Sequence, residues 1–155
     1  MPDKLIVFLL DDQRYALRLF AVERIVRMVE ITPLPKAPDI VMGVINLQGR
    51  ILPIFNMRKR FGLVERVPDL NDHLIIARTS RRGVGLFVDE VVGILEHSGE
   101  ETVRMESILP GLQYVEGVIK LEDGMALIHN LELFLSLDEE KALANVLETP
   151  PEIEQ

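Results

Sequence analysis

Apolar residues run along the whole chain in short stretches broken by Gly, Pro, Asn and Asp, the signature of many short strands. The pattern predicts strands over 4–11, 14–19, 24–31, 43–47, 50–55, 73–79, 83–88, 91–97, 114–121 and 125–128. Alternation is clearest in the second, where Tyr15, Leu17 and Leu19 share one face and Arg14, Ala16 and Arg18 take the other. Residues 5–10 are apolar throughout, which predicts a strand covered on both faces. Ten short strands at this spacing predict an all-β barrel or sandwich architecture, not a wound α/β sheet. Helical signals are few. Asn56 can cap a turn over 57–61 that Gly62 ends. Asn130 can cap another beginning at Leu131. The one long helical pattern covers 137–147, with Ser136 and Glu139 at capping-box spacing, Pro150-Pro151 as its stop, and 152–155 expected to fray.

The chain also repeats itself. Residues 43–56 (GVINLQGRILPIFN) align without a gap on 117–130 (GVIKLEDGMALIHN), with six identities in fourteen positions. Residues 5–25 laid on 74–94 add five matches in twenty-one. The same order of elements in both stretches predicts two related halves, about 4–66 and 73–137, with an acidic helix and tail over 138–155. Two small barrels packed on each other, with a groove between them, would follow.

Composition narrows the chemistry. With no cysteine among 155 residues, disulfides, thiolate metal sites and cysteine nucleophiles are excluded. Seventeen Lys and Arg against 25 Asp and Glu give −8, the wrong sign for a general binder of nucleic acid or anionic membrane. Six acids and one lysine lie from Asp138 onward, so the tail alone carries −5. Only six consecutive apolar residues follow the first four, too few for a signal peptide or membrane helix, so a soluble cytoplasmic protein is expected.

Catalytic signals are weak. His73, His97 and His129 fall at strand ends without a partner at ligand spacing, and read as satisfied interior or rim residues. Gly83-Val84-Gly85 lacks the third glycine and the helix of a dinucleotide loop, so it reads as a strand. The pairs Asp89-Glu90 and Glu100-Glu101 sit at apparent turns, where paired acids are usually solvated. Arg58-Lys59-Arg60 is either a contact for an acidic partner or the exposed side of a short helix whose Met57 and Phe61 face inward. No metal, cofactor or catalytic residue is implied. A binding module is the expectation, using sheet edges, exposed apolar residues and the groove.

The segments YALRLFAVERIV, ITPLPKAPDIVMGVINLQGRILPIFNMRKRFGL, GVGLFVDEVVGIL and YVEGVIKLEDGMALIHNLELFL resemble, in order, the CheW-like chemotaxis adaptor family over about residues 4–137. The resemblance implies two intertwined five-stranded SH3-like barrels with short helices and a C-terminal helix. It also implies a stand-alone, non-catalytic scaffold without cofactor, bridging the cytoplasmic tip of chemoreceptors and the regulatory domain of the histidine kinase CheA. An adaptor of a pilus or surface-motility array, and a groove-binding sensor or hydrolase, are the alternatives.

Carried over position by position, the resemblance assigns receptor contact to Val22, Arg24, Ile25, Asn46 and Gln48. Arg24 stands where the family usually has Glu, and Gln48 where Arg is usual; an Arg opposite a Gln still allows a hydrogen bond. Kinase contact is implied for Val41, Met42, Gly43 and Val44. Gly43 can equally be required by a close backbone, and Val44 by the core. In the second half Met105, Ile108 and Leu109 are candidates for burial by a kinase, or fold back on their own barrel. Asn56 replaces the usual Asp, and both cap helices about equally well.

Overall fold

Residues 5–10 carry no alternation because two different cores claim their two faces. The computed structural model describes residues 3–97, 102–104 and 114–148. Its strands are β1 Asp3–Leu10, β2 Gln13–Arg18, β3 Val22–Arg27, β4 Val41–Leu47 and β5 Arg50–Phe55, then β6 His73–Arg78, β7 Gly83–Val88 and β8 Glu90–His97, then β9 Thr102–Arg104, β10 Val115–Leu121 and β11 Gly124–His129. Helix α1, Met57–Arg60, follows β5, and α2, Leu137–Glu148, follows β11. Short 3-10 turns occupy Leu19–Ala21 and Leu131–Leu133.

The strands form two sheets. One runs β8-β1-β2-β11-β10-β9, five long strands with the three-residue β9 at its edge; the other runs β3-β6-β7-β5-β4. The fold is all-β, as the sequence implied. All ten expected strands are present, and β9 is additional. The expected strand 24–31 instead occupies Val22–Arg27, and one further backbone bond, from Met28 N–H to the Asp72 carbonyl at 3.0 Å, continues the pairing past its end. Beyond the strand, Met28 and Ile31 pack into the second sheet's core, whereas Val29 is exposed.

The sheets exchange strands. β1 and β2 lie between β8 and β11, whereas β6 and β7 lie between β3 and β5. Each sheet thus joins two strands from one end of the repeat to the last strands of the other copy. Register repeats too: the shift between Val41 and Gly43 in β4 recurs between Val115 and Gly117 in β10. The residue skipped in β3, Glu23, recurs as Val92 in β8, 69 positions on.

Three apolar clusters follow. Leu5, Val7, Ala16, Ile119 and Ile128 fill the first sheet's concave side. Ile45, Leu52, Ile54, Leu74, Ile76 and Phe87 do the same for the second. A larger shared cluster joins them, with Ile6, Phe8 and Leu10 from β1 meeting Ile75 and Ala77 from β6, and Val84, Leu86 and Val88 from β7. Odd and even residues of β1 therefore serve different cores, as do those of β6. Helix α2 belongs to this packing, since Leu143 is fully buried in the shared cluster. Its capping box forms as expected: Glu139 N–H donates to Ser136 Oγ at 3.1 Å and Ser136 N–H to Glu139 Oε1 at 2.9 Å. No helix among the described residues is long and apolar enough to cross a membrane.

Candidate functional site

The second sheet closes on itself through the segment after β3. Thr32 and Val44 exchange two backbone hydrogen bonds at 2.8 Å, which ties the chain leaving one edge strand to the other edge strand, β4. Gly43 sits at this seam with φ 151°, and a Cβ there would lie 2.3 Å from the Thr32 carbonyl oxygen. Of its two readings, the close backbone accounts for this glycine.

Side chains extend the seam toward solvent. Arg24 Nη2 donates to Gln48 Oε1 at 3.3 Å, and Arg50 donates to Glu23 at 2.8 and 3.3 Å. Arg50 holds the Glu23 carboxyl below the usual carboxylate range. The hairpin between β4 and β5 turns on Gln48 and Gly49, with φ 52° and 87°, and Gly49 N–H donates to Asn46 Oδ1 at 2.9 Å. Two consecutive positive φ values suit the tight hairpin turn that matches strand twist. The structure thus brings Arg24, Asn46 and Gln48 to one exposed end of the second sheet. Ile25, 39 % exposed, faces the shared core side of β3, opposite Ile75; Val22 is half-buried beside it.

The positions assigned to kinase contact are less open. Val41 lies in the shared cluster and Gly43 is buried; Met42 and Val44 are half-buried along the edge strand β4. Met105, Ile108 and Leu109 lie outside the described residues.

Two charged features differ from their sequence reading. Arg58 is not on an exposed helix face: it is 3 % exposed, with Nη2 2.7 Å from Asp11 and 2.6 Å from Asp89, and Nη1 donating to the Val64 carbonyl. Asp89 is likewise no solvated turn acid. It also accepts from Asp11 N–H at 2.7 Å and from Arg66 at 2.6 Å, while Arg66 pairs through two bonds with Asp72. Burial alone would raise the Asp89 pKa, but Arg58, the Asp11 N–H and Arg66 outweigh it and hold it low. This five-residue network pins the connection between β5 and β6 across both sheets.

Asn56 uses both ends of its amide. Its oxygen accepts from Lys59 N–H at 3.1 Å, and its nitrogen donates to Glu65 at 2.9 Å. Aspartate could cap the helix but would set a carboxylate against Glu65.

His129 is buried but not satisfied. Neither ring nitrogen has a hydrogen-bond partner among the described residues, and the ring stands edge-on to Phe61 and Phe134 at 5.4 and 5.6 Å. Burial, reinforced by Arg60, pushes its pKa down to about 3. Among the described residues no three His, Asp or Glu gather in a way that could hold a metal ion.

The repeat gives two of the predicted receptor positions counterparts in the other sheet. Shifting Val22 and Ile25 by 69 gives Val91 and Ile94 on β8, the edge strand of the other sheet. Val91 packs against the shared cluster and Ile94, 64 % exposed, lies opposite Ile6.

The chain is similar to the chemotaxis protein CheW of Rhizobium meliloti, at 33% identity over 90% of this chain and 91% of that protein. With the chemotaxis protein CheW of Thermotoga maritima it shares 39% identity over 57% of this chain and 58% of the relative. Among solved structures, the scaffolding protein TtCheW from Thermoanaerobacter tengcongensis superposes with a TM-score of 0.82 and 31% identity, covering 90% of this chain and 96% of that one. A family model described as a CheW-like domain matches residues 4–139. Strand exchange, closed seam and family match agree along the length of the fold, and the chain belongs to the CheW-like family.

Proposed function

We propose that the chain is a non-catalytic chemotaxis adaptor that couples chemoreceptors to the regulatory domain of a CheA-type histidine kinase. The observation that carries this reading is the match along residues 4–139 to a family whose solved relative, TtCheW, is a scaffolding protein of the same fold. The exposed seam of the second sheet is the receptor surface, with Val22, Arg24, Ile25, Asn46 and Gln48 as its contacts. The Arg24–Gln48 hydrogen bond keeps the two elements in register at positions where Glu and Arg are usual in the family. Shape is thereby retained and charge retuned for a particular receptor class. Kinase contact runs along the edge strand through Met42 and Val44, with Gly43 and Val41 setting its course, and through Met105, Ile108 and Leu109. Scaffolding needs no strong single contact, since linking two partners raises their effective concentration.

Co-sedimentation with receptor-bearing membranes, and pull-down of the kinase regulatory domain, test the reading. Exchanging Arg24→Glu together with Gln48→Arg shifts affinity toward receptors that recognise the usual pair, while kinase pull-down is unchanged. Failure of the unaltered chain to bind any receptor or kinase regulatory domain encoded beside it overturns the proposal.

A further inference from the structure

Two clefts open side by side on the face formed by the β6–β7 hairpin and the residues leading into α2. The larger, about 260 Å³, has an apolar floor that includes Phe55, Val84 and Leu131. The smaller, about 90 Å³, has the unpartnered His129 among its walls. Leu131 and Glu132 of the 3-10 turn divide them. Around their mouths stand three large apolar side chains, Phe20, Leu133 and Leu137, exposed by 88, 52 and 72 %.

The charges on this face are unequally matched. Four arginines line the clefts against three acids: Arg82 takes Glu140, Arg18 takes Glu116 at 2.6 Å, and Glu132, which accepts two bonds from the neutral Ser80 at 2.7 Å, keeps its charge. Arg78 and Arg81 are left against Glu132 alone, a surplus of one positive charge. Arg81 is 56 % exposed and only 3.8 Å from a carboxylate that Arg82 approaches more closely. Arg78 is exposed and its side chain forms no hydrogen bond or ion pair among the described residues; its field reaches Glu23, which Arg50 already holds. In a chain of net charge −8, an apolar face carrying surplus positive charge stands out from the rest.

We propose that this face docks an acidic segment of a protein partner, whose aliphatic side chains enter the larger cleft and whose carboxylates meet Arg78 and Arg81. The surface uses none of the residues assigned to receptor or kinase, and does not depend on that assignment.

The test titrates the full, isotope-labelled chain with synthetic amphipathic peptides of about 18 residues, five helical turns, and follows backbone amide shifts. One peptide presents Leu with Glu, a second Leu with Lys, and a third is polyglutamate. Saturable shifts of Arg78, Arg81, Leu133 and Leu137 with the Leu/Glu peptide alone are expected. Arg78→Glu with Arg81→Glu weakens that binding by about tenfold or more; Leu133→Ser weakens it with all charges in place. Neither variant replaces a member of the Arg82–Glu140 pair. Equal response to the Leu/Lys peptide reduces the face to a non-specific apolar patch, and equal response to polyglutamate to an anion site. Either result, no binding, or shifts centred on Arg24 and Gln48 overturns the proposal. Receptor co-sedimentation of the Leu133→Ser variant stays normal, so the two readings fail separately.

Discussion

His129 makes the stability of the protein depend on pH well above the range where carboxylates titrate. Its ring is 2 % exposed, and its pKa is about 3 in the fold against about 6.5 in an unfolded chain. Between those values the unfolded state binds the extra proton, so stability falls as pH drops below about 6.5. Linkage across that interval removes about 2 kcal/mol between pH 7.5 and 5, and about 3 kcal/mol by pH 4. Asp72, Asp89 and Glu139 act lower down. Their pKa values are depressed, so their contribution is complete above the unfolded carboxylate range and is lost as pH falls through it. The window from pH 7.5 to 5 therefore isolates histidine. The repeat supplies the control, because position 129 corresponds to Phe55, which stacks on the same Phe134 at 4.5 Å. His129→Phe should keep stability at pH 7.5 within about 1.5 kcal/mol and flatten the acid limb by about 2 kcal/mol. Urea unfolding followed by circular dichroism reads this directly; the chain has no tryptophan for fluorescence. His73 and His97 remain in both proteins, so the difference reports on one side chain. Parallel pH profiles for the two proteins would refute the reasoning.

Three further substitutions probe the framework. Arg58→Met takes a buried cation away from Asp11 and Asp89, leaving Asp89 to Arg66 and the Asp11 N–H, and should cost about 3 kcal/mol, with a double-mutant cycle against Asp89→Asn recovering part of the loss in urea unfolding. Gly43→Ala drives a methyl group into the Thr32 carbonyl and should destabilise by roughly 3 kcal/mol. A Gly43→Ala variant of normal stability that merely loses kinase binding would show the close backbone to be irrelevant. Leu143→Ala should cost about 3 kcal/mol in thermal unfolding; a negligible change would mean α2 is dispensable to the shared core.

What the sequence made legible was local or periodic. Asn56, Ser136 and Glu139 announce their helices because a cap and its N–H lie within three residues. The apolar run at 5–10 shows that both faces are covered, and the repeat shows that two similar sheets exist. Neither shows which copy completes which sheet, since alternation is the same whichever strand lies alongside. Arg58 was misjudged for a related reason. Its partners Asp11 and Asp89 are 47 and 31 residues away, and a run of three cations looks the same exposed or enclosed. At the seam, Arg24 and Gln48 could be matched to each other only through the family pattern. That Arg78 and Arg81 outnumber the one remaining acid, Glu132, appears only after Arg18 and Arg82 are seen to take Glu116 and Glu140.

Strand exchange has a mechanical consequence. The polypeptide passes from the first sheet to the second through three residues, Leu19–Ala21, and returns through the single residue Asp89. A load applied to one sheet is therefore borne by covalent bonds at two short crossings as well as by contact across the shared cluster. Such a body works as a strut: tension on one attachment surface reaches the other with little slack, and displacement is delivered in place of being absorbed.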